Sequence, residues 1–379
     1  MRTVLIYRNE LLPASETFIR AQAGVLQRFT PVFAGLRRID DGLDLRGASV
    51  LTLSDSESLR NKFKRRVFLR TGLARAFSEG IAARNPELVH AHFAVDAAAV
   101  LPIAKDLSVP LVVTLHGYDV TCAANEWKSW PTVRCYMRRM AALKNYAHLF
   151  LCVSRHVKQQ ALALGFPEDK LYVHHIGVDL KERQRRPSSR ENNTVLFVGR
   201  LVEKKGASYL IRGMSLVNQV NPQTRLVIIG DGPLRNSLEL EAARCGVNAL
   251  FLGVQEHKVV RQWMSEARVL AAPSVRAVNG DSEGLPTVLC EAQSAGLPVV
   301  AFATEGVTEA FSPERRESLP REKDVTTLAE QILILLNDDD AWCKASKTGR
   351  EWVESRFDLF SQTKLLEDKY EELIESHRG

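Results

Sequence analysis

Short β-branched and apolar runs alternate with longer helical patterns along the whole chain, and this alternation restricts the fold more than any other feature. In the first half the runs fall at 3–7, 31–35, 49–53, 88–93, 110–117 and 148–154. Several are almost continuously apolar, as strands of a parallel sheet covered on both faces must be. Helical patterns lie between them at 16–28, 58–84, 95–105 and 132–145. A charged stretch with Pro and Ser, KERQRRPSSRENN (181–193), reads as a linker. The alternation then restarts, with strand patterns at 194–200, 225–232, 249–254, 268–275 and 297–302. Helical patterns follow at 206–219, 233–245, 256–266, 286–295, 324–336, 339–355 and 358–376. A chain of 379 residues is too long for one ordinary core. The prediction is an α/β protein of two doubly wound, Rossmann-like domains facing a central cleft, one over 1–180 and one over 194–355. Ligands of such sheets sit beyond the carboxyl ends of the strands, so functional residues are sought just after each strand.

Charge divides the chain as the fold pattern does. The first 190 residues carry an excess of twelve positive charges and the remainder an excess of six negative ones. A basic half implies an anionic contact: nucleic acid, a phosphorylated substrate or the cytoplasmic face of a membrane. No window of eighteen apolar residues suggests a membrane span. The start reads directly into a strand without the pattern of a signal peptide. The six cysteines (122, 135, 152, 245, 290 and 343) are scattered, which suits a reducing cytoplasm and neither a zinc site nor a disulfide framework.

The second half holds the densest chemistry. In VLFVGRLVEKKGASYLI, Arg200 ends a strand and Lys205 precedes a helix. Two cations beside the positive end of a helix form an anion site, although a solvated charged turn has the same sequence. RLVIIGDGPLRNSL brings a Gly-rich turn at 230–232, which a tight turn alone explains. In SEGLPTVLCEA (282–292), Pro286 suits a first helical turn, and the backbone N–H groups of Gly284, Leu285 and Thr287 around it are those a helix leaves unpaired. Glu283 lies in the loop before this helix and Glu291 about one turn inside it. Either carboxylate alone reads as a solvated or dipole-neutralising group. Together with Arg200 and Lys205 they read as a nucleotide-diphosphate site, with Glu291 accepting from vicinal hydroxyls.

In the first half, His116 closes the strand of VVTLHGYDVT and precedes Gly117, which places an imidazole at a strand end. Asp119 reads as its partner or as a helix cap. His90 and His92 alternate onto one face of their strand, for packing or substrate contact. Ser15 or Thr17 reads as a helix cap, which sets Ser15, Glu16 and Thr17 at a helix mouth after the first strand. Over 59–84, Phe63, Val67, Ala74, Phe77 and Ile81 recur at helical spacing amid Arg and Lys. That pattern fits a basic amphipathic helix on anionic lipid or an ordinary surface helix, and the positive half favours lipid. Trp127, Trp130 and Tyr136 beside Arg134, Arg138 and Arg139 add a second aromatic and cationic cluster.

GRLVEKKG, GDGPLR, SEGLPTVLCEA and LHGYD together resemble the retaining glycosyltransferases of family 4, with the GT-B fold, and the likeness spans nearly the whole chain. SETFI and VHAHFA resemble the branch that builds bacterial exopolysaccharides and surface glycans. The resemblance implies that a helix at 356–379 crosses back to the first domain. It assigns the nucleotide ribose to Glu291, with Gly232 and Val254 also on the nucleotide. Arg200, Lys205 and Gly284, Leu285, Pro286 and Thr287 receive the diphosphate. His116 and Glu283 stand at the transferred sugar, Glu283 as positioner and charge stabiliser. Ser15, Glu16, Thr17, His92 and Asp119 fall on the acceptor side. Neither a metal ion nor a cofactor is implied. Three stretches depart from the family pattern: YRNELLPASET after the first strand, TEGVTEAF (304–311), and FSPERRESLP (311–320).

The expected protein is thus a cytoplasmic transferase, peripheral on the inner face of the membrane. It moves a sugar from a UDP-sugar, or else a GDP-sugar, to a lipid-linked or saccharide acceptor. Rival readings are a sugar-nucleotide epimerase or phosphorylase of the same fold and a catalytically silent partner of a glycan-assembly complex. A nucleic-acid partner is not expected, because the acidic second half carries no recognised nucleic-acid module.

Overall fold

A computed structural model describes residues 1–13, 15–40, 42–121, 130–180 and 193–378. The linker expected at 181–193, apart from residue 193, and Trp127 lie outside the described residues. The chain forms two compact units, one of Met1–Gly177 with the segment from Leu359, the other of Val178–Asp358. The change of unit falls at Val178 rather than after 180. The Val178 N–H donates to the Phe357 carbonyl at 2.7 Å, so residues 178–180 belong with the second unit.

The first unit contains β1 (Arg2–Tyr7), β2 (Glu10–Leu11), β3 (Phe29–Gly35), β4 (Arg37–Arg38), β5 (Ser49–Thr52), β6 (Leu88–His92), β7 (Leu111–Leu115), β8 (Leu149–Cys152) and β9 (Leu171–Val173). Seven of these form one sheet in the order β5-β3-β1-β6-β7-β8-β9, every pair parallel. β6 and β7 are buried along their whole length, as their unbroken apolar sequences require. Helix Ala94–Asp106 is almost wholly buried, and its run of alanines lets helix Pro131–Tyr146 pack closely. Pro102 inside that helix has no N–H for the Ala98 carbonyl, and the Arg139 guanidinium donates to that oxygen instead, at 2.9 Å.

The expected helix over 58–84 is two helices, Leu59–Thr71 and Arg75–Ala82. Gly72, at φ 81°, ends the first in the left-handed conformation, and a Cβ there would meet the Pro102 ring at 2.6 Å. The break separates the apolar positions. Phe77 and Ile81 are buried, whereas Phe63 and Val67 face solvent.

The C-terminal helix Leu359–Arg378 completes the first unit. Leu366, Tyr370 and Ile374 join Val4, Ile6, Phe29 and Phe33 in its core. Glu367 accepts the Gln27 and Arg28 backbone N–H groups at 2.8 and 2.7 Å, and Arg28 pairs with Asp368 and Glu371.

The second unit contains β10 (Thr194–Val198), β11 (Arg225–Ile229), β12 (Ala249–Gly253), β13 (Val269–Ala272) and β14 (Val299–Ala301), in the parallel order β12-β11-β10-β13-β14. Each sheet reverses its direction of growth once, between β1 and β6 in the first unit and between β10 and β13 in the second. These reversals are where a doubly wound sheet opens a crevice at its strand ends. All five strand positions expected here from the sequence are occupied; in the first unit β9, only three residues long, carried no signal strong enough to read.

Candidate functional site

The loops that leave β10 and β13 meet at the switch point of the second unit. After β10 the chain turns through Glu203–Lys205 and Gly206 into helix Ala207–Val220. Gly206 sits at φ 67°, and a Cβ on it would lie 1.8 Å from the Pro273 carbonyl just beyond β13, so only glycine allows this approach. The Val275 N–H donates to the Lys204 carbonyl at 2.8 Å and locks the two loops together. Lys204 then reaches Asp281 at 3.0 Å, and Lys205 reaches Glu283 at 2.8 Å. The loop after β14 closes the other side, because a Cβ on Gly306 would lie 1.8 Å from the Glu283 carbonyl.

Glu283, in the loop before the helix, is held by these contacts and is 8% exposed. Burial alone pushes its carboxyl upward, but the ammonium groups of Lys205 and Lys204 pull it below its ordinary value, so it is an anion. Its Oε1 faces Lys205 at ion-pair distance without meeting hydrogen-bond geometry, and thus keeps acceptor capacity. Pro286 caps helix Thr287–Ser294 in an extended conformation instead of entering its first turn, and no side chain caps this end. The helix mouth is consequently built from backbone N–H groups, with Gly284, Leu285 and Pro286 buried before it and Thr287 as its first residue.

Glu291 lies one turn further, with His257 Nε2 at 3.8 Å from its carboxylate. His257 starts the helix after β12 and was not singled out from the sequence, since a lone His at a helix start carries no signal there. Arg200 is exposed just past β10 and has no acidic partner among the described residues. Gly232 follows β11, where a Cβ would lie 2.5 Å from the Leu201 carbonyl; Val254 follows β12 and is exposed. The structure thus interlocks Lys205, Glu283 and the Gly284–Thr287 backbone, places Arg200 on the same β10 loop, and sets Glu291, Gly232 and Val254 at neighbouring strand ends.

The strand ends of the first unit hold a different arrangement. Arg8, just past β1, donates to Glu16 at 2.9 Å through Nε and pairs with Asp96 through Nη1. Burial works against this guanidinium, but Asp96 and Glu16 hold its pKa above the ordinary value. Asp96 also accepts the Asn9 backbone N–H at 2.8 Å and its amide at 2.6 Å. The Arg8 guanidinium rests 4.2 Å from the Phe93 ring centroid. Phe93 itself takes φ 70° and ψ 135°, a backbone conformation that costs about 1–3 kcal/mol and is tolerated where surroundings enforce it. Its ring packs against those of His116 and Tyr118. Arg8, Asn9, Phe93 and Asp96 were missed in the sequence because Arg8 and Asn9 follow β1 whereas Phe93 and Asp96 follow β6, and only the pairing of those two strands unites them.

His116 Nε2 and His92 Nδ1 share a hydrogen bond of 3.0 Å. The His92 ring stacks on His90, which bonds Tyr370 at 2.5 Å and Thr114 at 2.7 Å. Burial lowers all three histidines, His90 to about 3, so they are neutral at pH 7. That hydrogen bond uses His116 Nε2 and leaves Nδ1 outside it.

Two first-unit expectations are corrected. Neither Ser15 nor Thr17 caps the helix Thr17–Gly24; Glu16 occupies the cap position, makes no capping hydrogen bond and is held by Arg8 instead. Asp119 is no partner of the His116 imidazole. Its oxygens accept the backbone N–H groups of Ala94, His116 and Gly117 at 2.9, 3.2 and 3.0 Å, which fixes the turn that carries His116. Its burial raises the carboxyl to about 6. Among the described residues no three His, Cys, Asp or Glu side chains converge to hold a metal ion.

Comparison with known proteins agrees with this division. Residues 45–182 match the family described as Glycosyltransferase Family 4, and residues 179–352 match Glycosyl transferases group 1. The amylovoran biosynthesis glycosyltransferase AmsK of Erwinia amylovora is 27% identical over 76% of this chain and 70% of its own. The putative teichuronic acid biosynthesis glycosyltransferase TuaC of Bacillus subtilis is 26% identical over the same shares, 76% and 70%. Among solved structures, Anabaena HepE in complex with UDP and glucose superposes with a TM-score of 0.75 at 18% identity, covering 97% of this chain and 99% of that one. Two family matches that run without a gap from 45 to 352, over two parallel sheets with switch-point loops, make this chain a member of the group 1/family 4 glycosyltransferases with the GT-B fold.

Proposed function

We propose that this enzyme transfers a sugar from a nucleoside-diphosphate donor, a UDP-sugar, to a lipid-linked or saccharide acceptor in the synthesis of a surface glycan, with retention of configuration and without a metal ion. The carrying observation is the interlocking of the Lys205 loop with the Glu283–Thr287 helix mouth, with Arg200 on the same loop. Two cations and a row of unpaired N–H groups suit a diphosphate, and they suit it most as a leaving group, when its charge grows. Glu291 accepts hydrogen bonds from the ribose, and Glu283 steadies positive charge developing on the sugar. The neutral His116 bonds a sugar hydroxyl. The names of the relatives AmsK and TuaC support a glycan acceptor, and the HepE complex supports UDP. A GDP-sugar is the second reading, favoured by relatives described as GDP-mannose-dependent mannosyltransferases of Mycobacterium tuberculosis.

Membrane association belongs to the same proposal. Leu59, Phe63 and Val67 recur every fourth residue along helix Leu59–Thr71, and Leu59 and Phe63 are 86% and 68% exposed. Arg60, Lys62, Arg66 and Arg70 flank this stripe. An exposed apolar stripe between cations suits insertion among anionic headgroups. Arg138 and Arg139 do not contribute, since they donate to the Leu69, Arg70 and Ala98 carbonyls. Among the described residues no helix is long and apolar enough to cross the bilayer.

A panel of nucleotide sugars screened by thermal shift tests the donor, because a ligand of the folded state raises its melting temperature. UDP-sugars should stabilise more than GDP-sugars. Transfer in the presence of chelator and an axial or equatorial product anomer matching the donor, read by NMR, test the metal-free and retaining parts. Stabilisation by no nucleotide sugar would overturn the proposal.

A further inference from the structure

The second unit has a cavity of about 560 Å3 that none of the residues 199–206 or 282–291 lines. Its walls are helices Pro313–Glu317, Val325–Asn337 and Asp339–Arg356, with Val299 of β14 and Gln293 behind. Phe311, Ile334, Leu335 and Ala345 make the lining mainly apolar. The volume falls within the range of small-molecule pockets. One wall belongs to 311–320, the stretch in which this chain departs from the pattern of the family it resembles.

Arg315 on that wall is half-buried, and its guanidinium donates only to neutral oxygens, Ser318 Oγ at 3.2 Å and Gln331 Oε1 at 3.4 Å. No carboxylate lies within ion-pair distance of it among the described residues. Glu314, the single carboxylate of the lining, is exposed, and its own backbone N–H at the start of its helix holds it below its ordinary pKa. Lys344 adds a second cation at the rim. Burial lowers the Arg315 pKa, the mark of a desolvated charge without compensation.

A guanidinium fork beside an apolar cavity recognises an anionic head on an apolar body. We propose that this pocket is a second binding site, separate from that of the nucleotide, for a medium-chain amphipathic carboxylate whose head pairs with Arg315 and whose chain lies along Phe311, Ile334 and Leu335.

Isothermal titration of the full chain with decanoate, decanol and butyrate tests this. Decanoate should bind; decanol, with the same chain and no charge, and butyrate, with the same charge and little chain, should each bind about tenfold or more weakly. Arg315→Gln should weaken decanoate about tenfold and leave decanol unchanged. Ile334→Glu, a change at a half-exposed rim position, should weaken both, and unchanged melting temperatures keep the two variants interpretable as folded. Absence of decanoate binding, or decanoate affinity that neither variant alters, would overturn the proposal, the second result because the ligand would then sit elsewhere.

Discussion

At the strand ends of the first unit each charge is answered from within. Arg8 lies between Asp96 and Glu16, and Asp119 commits its oxygens to three backbone N–H groups. At the strand ends of the second unit Arg200 is exposed without an acidic partner among the described residues, and Lys205 meets only Glu283. The same topology thus builds two sites of opposite electrical character. A closed ion network with neutral histidines is preorganised and presents hydrogen-bonding groups without an unpaired cation, which suits hydroxyl-rich ligands. A helix mouth with weakly compensated cations has free energy to gain from an anion.

The largest contrast should appear in stability. Asp96→Ala leaves Arg8 with one carboxylate and strips Asn9 of its acceptor, so urea unfolding should show a loss of about 3–5 kcal/mol. Glu283→Ala should cost less, about 1–3 kcal/mol, because the Lys205 side chain it leaves is one-fifth exposed and can take up water. Equal losses would erase the distinction between the units.

Acid sensitivity should also reside in the first unit. The buried histidines His90, His92, His116 and His174 have pKa values below the ordinary 6.5, His174 at about 4 and His90 at about 3. Below pH 6.5 the unfolded chain takes up protons that the folded chain refuses, so this contribution to stability falls as the pH drops. Burial raises Asp119, Glu16 and Asp96, whose folded forms hold protons more tightly and oppose the fall at lower pH. The informative readout is therefore a difference: between pH 6.5 and 5, His90→Asn should lose less stability than the wild type. Parallel curves would mean that His90 is not held neutral.

Within the second unit, Glu291→Ala should weaken UDP about tenfold by calorimetry, the loss of hydrogen bonds to a charged acceptor, while Glu283→Ala keeps UDP affinity and lowers turnover. Like behaviour of the two variants would merge roles assigned separately. The smallest effect on folding should come from the exposed stripe. Replacing Phe63 and Val67 by Ser should change stability by less than about 0.5 kcal/mol. The same change should reduce binding to vesicles rich in anionic lipid, and salt should reduce it further. Unaltered vesicle binding would remove the stripe from the membrane proposal.

Sequence legibility followed the same divide. Lys205, Glu283 and Gly284–Thr287 sit in contiguous motifs on either side of one switch point, so local pattern was enough to find them. The Arg8–Asp96–Glu16 network was not legible, because its members are 8 and 88 residues apart and meet only through parallel strand pairing. Asp119 misled because a carboxylate three residues after a histidine fits a side-chain pair as readily as a turn. Helix 58–84 misled because apolar spacing continues through Gly72, whose left-handed conformation breaks the face in two. The buried stack His90–His92–His116 shows the converse, since strand alternation gave the shared face of His90 and His92 directly.

The second unit's claim to the diphosphate can be isolated by titrating UDP and uridine against Arg200→Ala/Lys205→Ala and the wild type. Loss of both cations should weaken UDP about a hundredfold and leave uridine unchanged, since only the phosphates meet them. UDP affinity equal to that of the wild type, or an equal loss for uridine, would contradict a diphosphate held at this helix mouth.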